Sequence, residues 1–245
     1  MKKLSLRSLI PNLFTFISLT FGLTAIKFAI DERWQIAVSL IVFSSFLDNI
    51  DGKLARLLKT NSDFGVELDS LSDFISFGIA PALVVYLWSK SLFFESSWAV
   101  VIFYAICSSS RLAKFNISNF DEKSDSKKIK FFSGISTPAA AGLTLLPMMF
   151  FFRFDTSLEI NQIVMKFYLF IPAILMITSI PTYSLKGIKF EKKLLSFLII
   201  LLASFLSLLL TDFWLAMIIL IIVYFLSIPF AVLEFKKNFG DLVSK

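Results

Sequence analysis

The feature that most constrains this chain is a succession of apolar stretches long enough to cross a lipid bilayer. A membrane-spanning helix needs about 20 mainly apolar residues, and its backbone must satisfy its own hydrogen bonds because lipid offers none. About eight such stretches occur, near Leu13–Ile30, Gln35–Leu47, Val66–Trp88, Trp98–Ser110, Ile135–Phe152, Val164–Ile180, Leu194–Leu210 and Phe213–Leu233. A mean hydropathy of +0.80 supports this interpretation. We therefore predict an all-α, polytopic transmembrane helical bundle that forms one integral-membrane domain over residues 1–245.

The basic residues predict how these spans are oriented. Cytoplasmic loops of membrane proteins carry an excess of Lys and Arg. With the N-terminus inside, all but five of the 24 basic residues fall in cytoplasmic segments, the exceptions being Lys27, Arg33, Lys90, Arg153 and Lys166. This asymmetry predicts an even number of spans with both termini in the cytoplasm. Basic loops beside an anionic leaflet also explain the net charge of +6, which requires no nucleic-acid partner.

The N-terminus has one competing interpretation, because Lys2 and Lys3 precede an apolar run as they would in a secretory signal peptide. However, Lys27 interrupts the expected cleavage region, and no A-x-A site followed by a soluble domain is present. We interpret the run as the first span.

Four aspartates interrupt this apolar background. A carboxylate at the centre of a bilayer costs roughly 2.5–3.5 kcal/mol on insertion scales, so a group of them needs a cause. Asp48 and Asp51 are three residues apart, and Asp69 and Asp73 are four apart, so each pair shares one helical face. If the second helix continues to Arg56, a short turn makes it the antiparallel neighbour of the third. The four acids would then converge from two helices, as metal ligands do in helical bundles.

A shared cation is the simplest reason for four carboxylates to lie together. The chain has no histidine and a single cysteine, Cys107, so a metal here must be bound by oxygen, which favours Mg²⁺, Mn²⁺ or Ca²⁺. Two divalent ions about 3.5–4 Å apart would clamp the oxygens of a diphosphate, and a carboxylate left partly free of metal would accept a proton from a hydroxyl. This chemistry suits transfer of a phosphoryl group between a lipid and a polar alcohol at the cytoplasmic face.

Small residues and one arginine accompany the acids. Gly52 and Ala55 fall on or beside the face that carries Asp48 and Asp51, where they would let a bulky ligand approach the backbone or let two helices pack closely. Arg56 carries a guanidinium fork suited to phosphate oxygens, although a single arginine at this depth also commonly extends its charge towards water.

The run D-x2-D-G-x2-A-R-x8-G-x3-D-x3-D resembles the signature of the CDP-alcohol phosphatidyltransferase family, and every signature position is filled. The resemblance implies that the four aspartates carry two ions, Mg²⁺ or Mn²⁺, and that Asp73 is also the catalytic base. It implies that Gly52, Ala55 and Gly65 line the CDP pocket and that Arg56 meets the diphosphate. The segment around Pro11 is similar to the start of these enzymes, and we expect Asn12 and Thr15 to approach the nucleotide.

Three further segments, Phe64–Pro81, Arg111–Asn116 and Phe132–Ala141, resemble the bacterial membrane-integrated branch of the family that uses L-serine. The implied reaction is direct attack of the serine hydroxyl on CDP-diacylglycerol, which gives phosphatidylserine and CMP. The resemblance also implies a homodimer in the bacterial inner membrane, surrounded by membrane lipids. The distribution of basic residues predicts that the acids, and with them the active site, face the cytoplasm.

A serine acceptor gives one interpretation of the basic residues Arg111 and Lys114. Its carboxylate needs a cationic partner, which either side chain would supply; alternatively, both are ordinary positive-inside anchors. We expect Asn116 and Thr137 to add polar contacts to the amino acid.

Two rival functions remain open from the sequence. Another member of the same family would use glycerol 3-phosphate or inositol phosphate, whose extra phosphate calls for more cationic residues near the site. A secondary transporter would use the acids as a proton or cation relay, and it would be expected to show paired halves with broken helices at matching positions. Here the acids are concentrated in one half of the chain.

Overall fold

The computed structural model describes residues 6–58, 62–89, 98–120, 131–155, 162–183 and 192–243. Nearly all of them are helical, and two three-residue strands are the exception. In chain order the elements are α1 (Leu6–Ile30), α2 (Trp34–Leu58), α3 (Asp63–Asp73), a π-helical segment (Phe74–Ile79), α4 (Ala80–Trp88), α5 (Trp98–Phe120), β1 (Phe131–Ser133), α6 (Thr137–Phe154), α7 (Gln162–Ile177), β2 (Pro181–Tyr183), α8 (Lys192–Thr211) and α9 (Phe213–Val243).

Five helical stretches in the described ranges are long and apolar enough to cross a membrane, which makes the chain a polytopic helical membrane protein. They are Leu9–Ile30, Asp63–Trp88, Trp98–Ile117, Thr137–Phe154 and Phe213–Lys237. All eight predicted stretches lie wholly or mostly on helices, but the count of eight spans stays a prediction. In α2 the apolar sequence stops before the acids, and the apolar parts of α7 and α8, Tyr168–Ile177 and Ser196–Thr211, are shorter.

The structure confirms the mostly helical fold and adds a small antiparallel pair of strands that the sequence did not predict. Phe131 of β1 lies opposite Tyr183 of β2, and the Thr182 hydroxyl donates to the Gly134 carbonyl at 2.8 Å. Gly134 has a φ of 73°, a left-handed conformation that glycine adopts at little cost. The strands are far apart in sequence and only three residues long, so no alternating pattern or local hairpin signal precedes them.

The chain divides into two compact units. The first comprises Met1–Phe120, Ser136–Leu145 and Ile160–Ile177, and the second comprises Asp121–Ile135, Leu146–Glu159 and Thr178–Lys245. The single domain stays a prediction.

In the second unit, α8 and α9 are joined at Asp212, where the sequence predicts the turn. The Asp212 carboxylate accepts a hydrogen bond from the Leu215 N–H at 3.1 Å, which caps the start of α9. It also forms an ion pair with Arg153. Further along α9, Glu234 accepts a hydrogen bond from the Tyr183 hydroxyl at 2.7 Å, so β2 is tied to this helix.

In the first unit, α1 packs closely against α2 and against the π-helical segment. Ala25, Ala29 and Ala37 are fully or almost fully buried, and such small side chains let helix backbones approach. Gly22 marks the tightest approach, because a Cβ atom placed there would lie 2.7 Å from the Ser76 Cα atom.

We expect Gly22→Ala to lower the melting temperature of the detergent-solubilised protein, because the added methyl group meets backbone that cannot rotate away. Overpacking of this kind typically costs about 1–3 kcal/mol. Gly52→Ala is the matched control, since nothing lies within 4 Å of a Cβ atom at that helical position. The control should melt at the same or a slightly higher temperature, because alanine favours a helix by about 1 kcal/mol over glycine. Equal melting of both variants would contradict the close contact.

Candidate active site

Two helices carry the four aspartates, and their boundaries follow from local chemistry. α2 runs past Arg56 to Leu58, as the spacing of the acids predicts. α3 begins at Asp63, three residues before the predicted third span, Val66–Trp88. The reason is Ser62, which has an extended backbone and whose hydroxyl accepts a hydrogen bond from the Gly65 N–H at 3.1 Å. This is the preferred arrangement of a helix N-cap.

The structure brings the four carboxyl groups together. One oxygen from each of Asp48, Asp51 and Asp69 lies within 4.8 Å of the others. The carboxyl group of the fourth, Asp73, interacts electrostatically with those of Asp48 and Asp69. We call these four residues the aspartate cluster.

Protein groups satisfy the aspartate cluster only in part. Asp51 is 4% exposed and accepts a hydrogen bond from the Thr15 hydroxyl at 2.8 Å. Asp73 Oδ2 lies 3.4 Å from the Thr137 hydroxyl, whereas Asp73 Oδ1 is buried and has no hydrogen-bond partner among the described residues. A buried carboxylate oxygen without a donor is costly, and adjacent negative charges add repulsion.

A divalent cation fits this donor set. The cluster offers only carboxylate oxygens, which are the ligands that Mg²⁺ and Mn²⁺ prefer. Three of the acids are already close enough to share an ion, and the fourth, Asp73, has a buried oxygen without a hydrogen-bond partner among the described residues.

A π-helical segment follows the last aspartate directly, and the sequence analysis missed it. π-Helical turns are rare and are frequent at functional sites. Pro81 is the signal that could have found it, because proline has no N–H to donate to the Phe77 carbonyl one helical turn earlier. In the structure that carbonyl accepts a hydrogen bond from the buried Tyr104 hydroxyl at 3.2 Å.

The residues predicted to bind the nucleotide lie on α1, α2 and α3, and one of the two on α1, Thr15, contacts the aspartate cluster. A Cβ atom on Gly65 would stand 3.2 Å from Asn12 Oδ1, so the Asn12 side chain of α1 lies close to α3 at this position. Arg56 is exposed, and its Nε–H donates to the Gly52 carbonyl at 2.9 Å. The side chain of Ala55 lies outside the described residues. The binding roles of these residues stay predictions.

The residues predicted to bind serine fall into two groups. Thr137 and Asn116 lie near the acids, since Thr137 approaches Asp73 and the Asn116 amide donates to the Ser70 hydroxyl at 3.0 Å. Arg111 is half-buried and Lys114 is exposed, both on α5. Sequence reasoning missed Ser70, whose position beside Asp69 on α3 was the available signal.

Comparison with known proteins decides the family. The sequence model described as CDP-alcohol phosphatidyltransferase matches residues 8–184, which run from α1 through β2. The chain belongs to the CDP-alcohol phosphatidyltransferase family. The matched region contains the whole aspartate cluster, whose carboxylates could hold a divalent metal ion.

Similar proteins carry one name in distant organisms. The chain is 34% identical to CDP-diacylglycerol–serine O-phosphatidyltransferase of Mycobacterium bovis over 228 residues. This alignment covers 91% of this chain and 78% of that protein. It is 35% identical over 195 residues to the protein of the same name from Helicobacter pylori, covering 80% of each. For the Methanocaldococcus jannaschii protein of that name, the identity is 36% over 156 residues, 63% of this chain and 65% of that one.

Proposed function

We propose that this chain transfers the phosphatidyl group of CDP-diacylglycerol to the hydroxyl of L-serine, which gives phosphatidylserine and CMP. The aspartate cluster, held in a helical membrane protein of this family, is the observation that supports the reaction class. The choice of serine is supported by similarity to relatives named for that acceptor over most of the chain.

Asp48, Asp51, Asp69 and Asp73 would hold two divalent ions, Mg²⁺ or Mn²⁺. When bound, these ions would supply positive charge that stabilises the diphosphate and the negative charge that develops during displacement of CMP. The chain's own contribution is to hold four carboxylates on two helices, so that the ligands are in place before substrate arrives.

Asp73 is the proposed general base. Its Oδ1 atom has no hydrogen-bond partner among the described residues, so it remains able to accept the proton of the serine hydroxyl. Its Oδ2 atom is near the Thr137 hydroxyl, which orients the carboxylate and leaves Oδ1 for the acceptor. The sequence has no histidine, and Cys107 is fully buried, so direct attack by serine is favoured over a covalent intermediate on either residue type.

Arg111 and Lys114 are the proposed cationic partners of the serine carboxylate, with the role of positive-inside anchor as the alternative for each. The Asn116 amide, held by Ser70, adds a polar group on the same helix. Asn12, Gly52, Ala55, Arg56 and Gly65 would receive the nucleotide and its diphosphate.

The proposal places the chain in a bacterial inner membrane as a homodimer with about eight spans per subunit. Both termini and the aspartate cluster would face the cytoplasm, which is supported by the distribution of basic residues along the sequence. CDP-diacylglycerol would keep its acyl chains among membrane lipids during the reaction.

A panel of acceptors tests the proposed substrate. Purified protein is supplied with CDP-diacylglycerol and Mn²⁺ or Mg²⁺, and CMP release is measured with L-serine, glycerol 3-phosphate or inositol phosphate. We expect release with serine to be at least about 10²-fold faster, because a site built around one polar acceptor leaves groups unpaired with another. L-alanine is the matched control, since it has the amine and carboxylate of serine but no hydroxyl.

If CMP release is fast with another alcohol and slow with serine, that alcohol is the acceptor. The reaction class would be unchanged. A secondary transporter would release no CMP with any acceptor, and its activity would depend on an ion gradient across a sealed vesicle.

A further inference from the structure

One face of α1 carries a short polar stripe within a mostly apolar helix. Thr15, Ser18 and Gly22 are separated by three and four residues, so they lie on the same side of the helix. Thr15 is 5% exposed and Ser18 is 2% exposed, so neither hydroxyl is placed for contact with water or lipid. Buried hydroxyls of this kind need partners within the protein.

The stripe ties α1 to both helices that carry the aspartate cluster. The hydroxyls of Ser18 and Ser44 lie 2.7 Å apart, which joins α1 to α2. The Ser72 hydroxyl donates to the Thr15 carbonyl at 3.2 Å, and the Ser76 hydroxyl donates to the Ser18 carbonyl at 3.2 Å. α1 therefore holds α2 on one side and α3 with its π-helical continuation on the other.

Among the described hydroxyls of this stripe, that of Thr15 reaches an acid. Its Oγ1 atom lies 2.8 Å from Asp51 Oδ2 and 3.2 Å from the Pro11 carbonyl oxygen. The hydroxyl has one hydrogen, and the shorter distance together with the negative charge of Asp51 favours donation to the carboxylate. Asp51 faces Asp48 in the cluster, so in the absence of this donor repulsion would tend to turn its carboxylate away.

We propose that Thr15 is a positioning residue for the metal centre. Its hydroxyl fixes the carboxylate plane of Asp51 before any ion is bound, and it directs the second oxygen of Asp51 towards Asp48 and Asp69. The inference rests on the proposed metal-dependent function, and contact of Thr15 with the nucleotide stays a separate prediction. Partners that orient a metal-binding side chain typically change metal affinity 10–100-fold when removed.

The test measures Mn²⁺ binding to the purified full chain without nucleotide, by calorimetry or by the electron paramagnetic resonance signal of free Mn²⁺. Thr15→Val keeps the shape of threonine and removes the hydroxyl, and it should raise the dissociation constant about tenfold or more. Thr15→Ser keeps the hydroxyl and should stay within about twofold of the unchanged protein.

Thr20→Val is the matched control on the same helix. The Thr20 hydroxyl is exposed and donates to the Phe16 carbonyl of its own helix at 2.8 Å, so its loss should leave Mn²⁺ binding unchanged. Ser18→Ala separates positioning from general packing, because it removes a link between α1 and α2 without touching an acid. It should lower the melting temperature and leave the dissociation constant unchanged.

The outcomes distinguish the inference from the function on which it rests. If the unchanged protein binds no Mn²⁺, the proposed metal-dependent function fails. If the unchanged protein binds Mn²⁺ and Thr15→Val binds it equally well, the positioning role fails while the function stands. Equal weakening by Ser18→Ala and Thr15→Val would also overturn the positioning role. Thr15→Ala provides a second hydroxyl-free variant should the valine variant not fold.

Discussion

Asp73→Asn is expected to slow phosphatidyl transfer by about 10²–10⁴-fold, which is the usual contribution of a positioned general base. Asparagine is nearly the same size as aspartate, but its amide does not take up the serine proton at neutral pH. The measurement is CMP release at saturating serine, together with binding of CDP-diacylglycerol to the same preparation. Binding should remain measurable, because three aspartates of the cluster are unchanged and are close enough to share an ion.

Asp63→Asn is the control for this variant, since Asp63 is exposed in the first turn of the same helix. It should release CMP at the rate of the unchanged protein. Normal turnover by Asp73→Asn would show that another group takes the proton. Loss of both turnover and CDP-diacylglycerol binding would instead assign Asp73 mainly to holding the metal.

Asp69→Asn is expected to abolish activity because it weakens metal binding, not because it removes the proton acceptor. Asp69 shares the 4.8 Å group with Asp48 and Asp51, so its replacement removes one ligand and one negative charge from the centre. Mn²⁺ affinity should fall by more than about 100-fold, since even indirect partners of a metal ligand contribute 10–100-fold. Activity and the Mn²⁺ dissociation constant are both measured.

The melting temperature separates this effect from misfolding. Without metal, Asp69→Asn should melt no lower than the unchanged protein, because one of several mutually repelling carboxylates is gone. Mn²⁺ should raise the melting temperature of the unchanged protein, because a ligand that binds only the folded state stabilises it. Mn²⁺ should not raise the melting temperature of the variant. Glu67→Gln is the control, because Glu67 is exposed on the same helix. If Asp69→Asn is still stabilised by Mn²⁺, Asp69 is not a metal ligand.

The convergence of the acids was predictable because it depends on helical periodicity and on a short connection between two helices. Asp48 and Asp51 share a helical face at a spacing of three, and Asp69 and Asp73 share one at a spacing of four, whatever surrounds them. A short connection then leaves α2 and α3 little choice but to be neighbours. Helix existence was equally accessible, since an apolar stretch of bilayer length has few alternatives to a helix.

The parts that escaped prediction depend on partners far away in sequence. In the π-helical segment the Phe77 carbonyl accepts a hydrogen bond from Tyr104, which is 27 residues later. The strand pair joins Phe131 to Tyr183 across two intervening helices. The hydrogen bond from the Thr15 hydroxyl to Asp51 joins residues 36 apart, and nothing in the local sequence predicts it.

Membrane topology lies between these cases. Hydropathy located helices at all eight stretches, but a count of spans also requires each helix to be apolar along most of its length. The first part of α2 is apolar and its last part carries Asp48 and Asp51, so only part of the helix has the composition of a membrane span. Helices of this kind are ambiguous in any window-based reading of hydropathy.

The position of the aspartate cluster within the chain has a consequence for biogenesis. All four acids, Thr15 and Ser62 are synthesised before α5 begins, whereas Thr137 follows Asp73 by 64 residues. At typical translation rates of about 5–20 residues per second, that separation corresponds to roughly 3–13 s. A nascent chain therefore contains all four residues of the aspartate cluster for several seconds before Thr137, which approaches Asp73, is synthesised.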